Sequence, residues 1–126
     1  MKNYKLGLPS KKAVVLTSIY NCEGNEHKKN IDAQKLAALS FCRKNNIMPI
    51  RFFHENHLCL NMERPILKSL KRFLYNNNHD ISILIFPGFK IFDDDDEVIL
   101  FVMELSYLNI QLLPLENKNI QNRIAD

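Results

Sequence analysis

Four short apolar runs alternate along the chain with three longer segments of helical character. The run at residues 81–86, ISILIF, is the most telling. Asp80 precedes it and Pro87-Gly88 stops it. Bulky residues in succession, closed by two breakers, predict a strand covered on both faces, as in parallel sheets. Residues 13–19 have the same nearly continuous apolar character. Residues 47–53 form another strand, but Pro49 lacks an amide hydrogen, which places this strand at a sheet edge. Residues 110–113 form the last.

Between the runs the period changes. In residues 31–45, Ala33, Leu36, Ala37, Ser40 and Phe41 share one helical face, with Lys35, Arg43 and Lys44 elsewhere. Asn30 is the expected cap, Asp32 suits the first turn, and Asn45-Asn46 ends the helix. Residues 62–75 carry a stripe of Ile66, Leu67, Leu70, Phe73 and Leu74, with Lys68, Lys71 and Arg72 outside it. Residues 98–105, VILFVMEL, follow the acidic run 93–97 and predict a helix with an acid-rich first turn. This helix is apolar almost all round and must be covered all round. In so small a domain, a partner chain is expected on one face, through Val98, Phe101, Val102 and Leu105.

Strand and helix alternating in this order predict an α/β fold. The expected form is a three-layer α/β/α sandwich with a mostly parallel sheet of four or five strands. The 126 residues make one domain. Residues 1–11 read as an irregular arm, residues 21–30 and 54–61 as loops, and 117–126 as a polar tail. The loop after the central strand, residues 87–97, is where such a fold places a binding site.

Composition narrows the function classes. No apolar stretch is long enough to span a bilayer, and the N-terminus carries no signal-peptide pattern, so a soluble cytoplasmic protein without a membrane partner is expected. Cys22, Cys42 and Cys59 are too far apart for structural zinc and read as reduced thiols. Net charge is +3, unevenly spread: five of the 14 acidic side chains fall in residues 93–97, leaving 17 basic against 9 acidic residues elsewhere. A basic surface suits nucleic acid or an acidic partner.

Candidate chemistry is sparse. Residues 93–97 could hold Mg²⁺ for phosphoryl transfer or nuclease work, but consecutive helical carboxylates point in different directions; a solvated helix start explains them. His54-Glu55-Asn56-His57 lacks the spacing of a zinc helix and reads as loop surface. Three glycines in the whole chain leave no phosphate-binding or dinucleotide-binding loop. No metal and no cofactor is expected. Ser18 and Tyr20 end the first strand, where chemistry is usually placed. Lys68, Lys71 and Arg72 lie near Arg64 at helical spacing and form either a solvated face or a phosphate-facing patch.

Several short signatures then fall in a familiar order. Ile31-Asp32-Ala33-Gln34, Glu63-Arg64-Pro65-Ile66-Leu67 and Asp80-Ile81-Ser82-Ile83-Leu84-Ile85 resemble, in turn, three motifs of the serine recombinase catalytic domain, the resolvase/invertase family. The resemblance covers about residues 12–116. It implies a resolvase-like fold and a DNA-cutting serine at the end of the first strand, flanked by arginines that stabilise the phosphate. Spacing back from Gln34 places that serine at Tyr20 and its neighbouring arginine at Ser18. Making Ser18 the nucleophile leaves Leu16 in the arginine's place. The family's arginines after the central strand would fall in residues 87–92, which contain none. Of the catalytic set, only Arg64 matches, with Lys68 and Lys90 as further cations for a phosphate or other anion.

Phosphodiester attack needs preorganised cations, and losing one such donor typically costs about two to three orders of magnitude in rate. The expectation is therefore a degenerate recombinase domain that no longer cleaves DNA. It would act as a protein-binding or oligomerising module, regulatory and of mobile-element origin. The rival reading is an active site-specific recombinase using Ser18 or Tyr20 with Arg64. The family's long dimer helix and DNA-binding domain have no counterpart in these 126 residues.

Overall fold

The computed structural model describes residues 11–20, 24–57, 64–92 and 94–115, and within these the side chains of all but residues 20, 24–29 and 57. The elements run β1 (Lys11–Tyr20), α1 (Gly24–Lys44), β2 (Ile47–His57), α2 (Pro65–Asn76), β3 (Ile83–Phe86), a 3-10 turn (Phe89–Ile91), α3 (Asp95–Tyr107) and β4 (Gln111–Pro114). The alternation expected from the apolar pattern is present throughout. The four strands lie in the order β2-β1-β3-β4, and every pairing is parallel.

Alternation along the interior strands divides the core into two layers. Ala13, Val15, Ile83 and Ile85 face Ala38 and Cys42 of α1. Val14, Leu16, Leu84 and Phe86 face Leu67, Leu70 and Leu74 of α2 and Phe101 and Leu105 of α3. Because β3 is buried at all four positions, its run carries no polar residue. Burial pushes the Cys42 thiol above its usual range, since the thiolate would lose its hydration. The expectation of a reduced thiol fits Cys42, which is buried and forms no disulfide; Cys22 and Cys59 lie outside the described residues.

Several boundaries differ from the sequence reading. Helix α1 begins at Gly24, so residues 24–30 are helical and Asn30 is an interior position instead of the cap. Its first two turns are polar and show no stripe, which is why the pattern read them as a loop. Strand β2 continues to His57, so His54 and Glu55 belong to a strand and not to a loop. Pro49 does lie on an edge strand, as expected, and the β1–β2 register slips beside it, where Ala13 pairs with Pro49 but Val14 pairs with Arg51. Gly88 takes φ 153° and ψ 175°, a region open essentially to glycine alone, and so turns the chain after β3. Asn46 and Asn109 adopt left-handed φ values of 56° and 61° just beyond α1 and α3, where Asn is tolerated.

Two of the four residues expected to meet a partner on the third helix are instead covered by the chain itself. Phe101 and Leu105 are fully buried within the chain's own core, and Val98 is half-buried against it. Phe101 meets Phe86 edge to face and Phe92 at a tilt, with ring centroids 6.0 and 4.8 Å away. Only Val102 of the four is exposed; the other exposed apolar residues of α3 are Ile99, Leu100, Met103 and Tyr107. The sequence pattern cannot choose between faces that are equally apolar, and the position of β3 and α2 decides.

Phe101→Ala should therefore destabilise the folded chain itself, by about 3–5 kcal/mol in a urea titration. A cost below about 1 kcal/mol would show that this ring belongs to an outer contact.

Candidate functional site

The C-terminal ends of the parallel strands converge on one buried polar cluster. Ser18 sits near the end of β1 and is in register with Glu55 on β2. Its Oγ donates to Glu55 Oε1 at 2.9 Å. Arg64 immediately precedes the first residue of α2, Pro65, whose fixed φ suits a helix start. Its backbone, φ −118° and ψ 85°, lies outside the helical region, which the following proline disfavours, and its side chain turns back over the sheet edge. There Arg64 Nε donates to Glu55 Oε2 at 2.8 Å and Nη2 donates to Glu55 Oε1 at 2.6 Å. Nη1 donates to the carbonyl of Ile91, just after β3. The guanidinium also lies 5.8 Å from the ring centre of Phe92.

This is a two-pronged guanidinium–carboxylate pair out of water: Glu55 is 3% exposed and Arg64 8%. Such a fork is among the stronger charge-assisted arrangements. It satisfies both carboxylate oxygens and spans β2, the turn after β3 and the start of α2. Gln34 of α1 holds the backbone of Ser18 from the other side. Its Oε1 accepts from Ser18 N at 2.8 Å, and its Nε2 donates to Ser18 O at 2.9 Å. Thr17, also buried, donates to the Phe53 carbonyl at 3.4 Å and lies 3.3 Å from His54 Nδ1.

The structure thus brings together Ser18 and Arg64 of the expected site and adds Glu55 and Gln34. Tyr20 is the last residue of β1 and pairs with His57, but its side chain lies outside the described residues. Lys68 lies one turn beyond Arg64, its amide donating to the Arg64 carbonyl at 3.0 Å, and its side chain is exposed. Lys90 is exposed on the 3-10 turn beside Ile91. Among the arginines described, only Arg64 enters the cluster, and its charge is matched by Glu55. In the acidic run, Asp94 caps α3 by accepting from Glu97 N at 2.9 Å, and Asp95, Asp96 and Glu97 occupy its exposed first turn. Among the described residues, no group of three or more His, Cys, Asp or Glu side chains is placed to hold a metal ion. No helix described is long and apolar enough to cross a membrane.

An all-parallel α/β sheet with a polar cluster at its C-terminal edge defines the class. The particular fold is that of resolvase-type serine recombinase catalytic domains. A resolvase family site-specific recombinase from Streptococcus pneumoniae superposes with a TM-score of 0.70 at 10% identity, covering 86% of this chain and 74% of that one. The C-terminal catalytic domain of ISC1926 TnpA, an IS607-like serine recombinase, superposes with a TM-score of 0.66 at 12% identity, covering 82% of this chain and 67% of that one. No family model and no curated protein matches the sequence. The resemblance seen in the short motifs is therefore a likeness of fold.

The Glu55–Arg64 pair makes a separable prediction. Arg64→Met strands a buried carboxylate and should cost about 3–5 kcal/mol of stability. Adding Glu55→Leu removes the stranded charge and should recover part of that loss. A chemical-denaturation double-mutant cycle reads the coupling, and strictly additive costs would show that the pair is not formed in solution.

Proposed function

We propose that this chain is a serine-recombinase-type domain that no longer cuts DNA and acts as a protein-binding, self-associating module. The observation that carries the reading is the commitment of Arg64 to Glu55. A phosphate entering this edge would meet a guanidinium already neutralised at 2.6 Å by a carboxylate. Electrostatic stabilisation of a phosphoryl transition state depends on cations whose field is aimed at the reacting oxygens. Ser18 adds to the case: its hydroxyl is buried and spent on the same carboxylate. The likeness to an IS607-like recombinase supports a mobile-element origin, in which an inactive domain could regulate an active relative by occupying its partner surface. The exposed apolar face of α3 supports self-association or a protein partner. Lys68 and Lys90, both exposed, leave nucleic acid as the other class of partner.

One observation favours the rival, active reading. A serine hydroxyl 2.9 Å from a carboxylate oxygen is also how a nucleophile meets its base. In that reading Glu55 would take the Ser18 proton and Arg64 would orient Glu55.

A nicked suicide DNA duplex separates the two. The expected result on a denaturing gel is no covalent protein–DNA adduct, with or without Mg²⁺. An adduct mapped to Ser18 or Tyr20 would overturn the non-cleaving reading. Light scattering addresses association: the chain should be dimeric or larger, and Leu100→Asp with Met103→Asp should return it to monomer. A wild-type chain that stays monomeric at high concentration would remove the self-association reading.

A further inference from the structure

A groove of about 550 Å³ runs between the C-terminal halves of α2 and α3, lined by Lys71, Arg72 and Tyr75 on one side and Leu100, Met103 and Tyr107 on the other. Leu74 and Leu105 contribute to its lining, and both are buried. The outer face of α3 leads straight into it. Asp96, Ile99, Leu100, Met103 and Tyr107 follow one another at i, i+3, i+4, i+7 and i+11, which is one face of a helix. Leu100 is 55% exposed and Met103 63%. The opposite face, Phe101, Leu105 and Leu108, is sealed in the core.

This stripe has an electrical direction. Its N-terminal end carries the exposed carboxylates of Asp95 and Asp96. Its C-terminal end opens beside Lys71 and Arg72 of α2. Lys71 already pairs with Glu104 at 3.2 Å, so Arg72, exposed on the same rim, is the cation turned outward. A surface acidic at one end and basic at the other is complementary to itself when reversed.

We propose that the occupant of this groove is a second copy of the chain, with the two α3 helices packed antiparallel about a two-fold axis near Leu100 and Met103. The proposal rests on the self-association reading above and supplies its geometry. Asp96 and Tyr107 are separated by about 16 Å along the helix axis. Reversal therefore brings Asp95 and Asp96 of each copy to Tyr107 and Arg72 of the other, while Leu100 and Met103 meet at the centre. Every contact occurs twice, as an isologous pair requires. A parallel arrangement would set the two acidic turns side by side, where they repel.

Sedimentation equilibrium on the full chain tests this. The dimer should weaken between about 0.05 and 0.5 M salt, as screened ion pairs do. Arg72→Glu alone, and Asp95→Lys with Asp96→Lys alone, should each weaken dimerisation about tenfold or more, because each reversal acts at two symmetric contacts. Mixing the two variants should restore association, because the heterodimer sets Glu at 72 against Lys at 95 and 96 on one side and keeps the native contact on the other. That rescue also shows both variants to be folded. A mixture that stays monomeric overturns the proposal. If Arg72→Glu leaves the dimer intact while Leu100→Asp with Met103→Asp dissociates it, this arrangement fails and α3 remains an interface. A monomeric wild type overturns both.

Discussion

One buried pair of opposite charges holds the working edge of this sheet in place. Arg64 reaches the end of β2 through Glu55, the turn after β3 through the Ile91 carbonyl, and α2 through its own backbone. Ser18 of β1 bonds to the same carboxylate, and Gln34 of α1 fixes Ser18 in turn. Five segments of the chain therefore depend on one buried carboxylate. Such a pair adds little net stability over apolar residues of the same shape, yet breaking it strands a charge. The edge is consequently specified more than it is strengthened. The guanidinium is held on three sides, by both oxygens of Glu55 and by the Ile91 carbonyl.

Much of this architecture was legible in the sequence because the interior strands leave no ambiguity. A run such as residues 81–86, with apolar side chains toward both faces, fits only a strand between two helical layers. Pro49 located the edge for an equally local reason, its missing donor. What escaped the pattern was polar. The first turns of α1 are polar in sequence and so show no stripe. The end of β2 looked like a loop because His54, Glu55 and Asn56 are hydrophilic. The alternation Phe53–Glu55 was nonetheless a usable signal: it sets Glu55 on the buried side with Phe53, and a buried carboxylate needs a cation. Arg64 was visible only through its resemblance to a motif, and its partner could not be read from spacing, since the pairing crosses a segment whose path the fold determines.

The third helix shows the complementary difficulty. Its residues are apolar on nearly every side, so the sequence demanded cover without saying which side the chain itself supplies. The aromatic cluster of Phe86, Phe92 and Phe101 settles this by drawing Phe101 inward. Ile99, Leu100 and Met103 are left outside as a consequence of that choice. Charge follows the same geometry. The acidic turn that stabilises the helix start also marks one end of the outer face, opposite the basic residues of α2.

Both rims of the sheet carry an imino acid. Pro49 interrupts β2 at its bulge, and Pro114 closes β4 after four residues. A foreign strand seeking to extend the sheet needs an unbroken ladder of main-chain donors, and each rim denies it one. Growth by strand addition, the usual road to fibrils or swapped hairpins, is thereby discouraged on either flank. This keeps encounters between molecules to their side-chain surfaces, where they can remain finite and reversible.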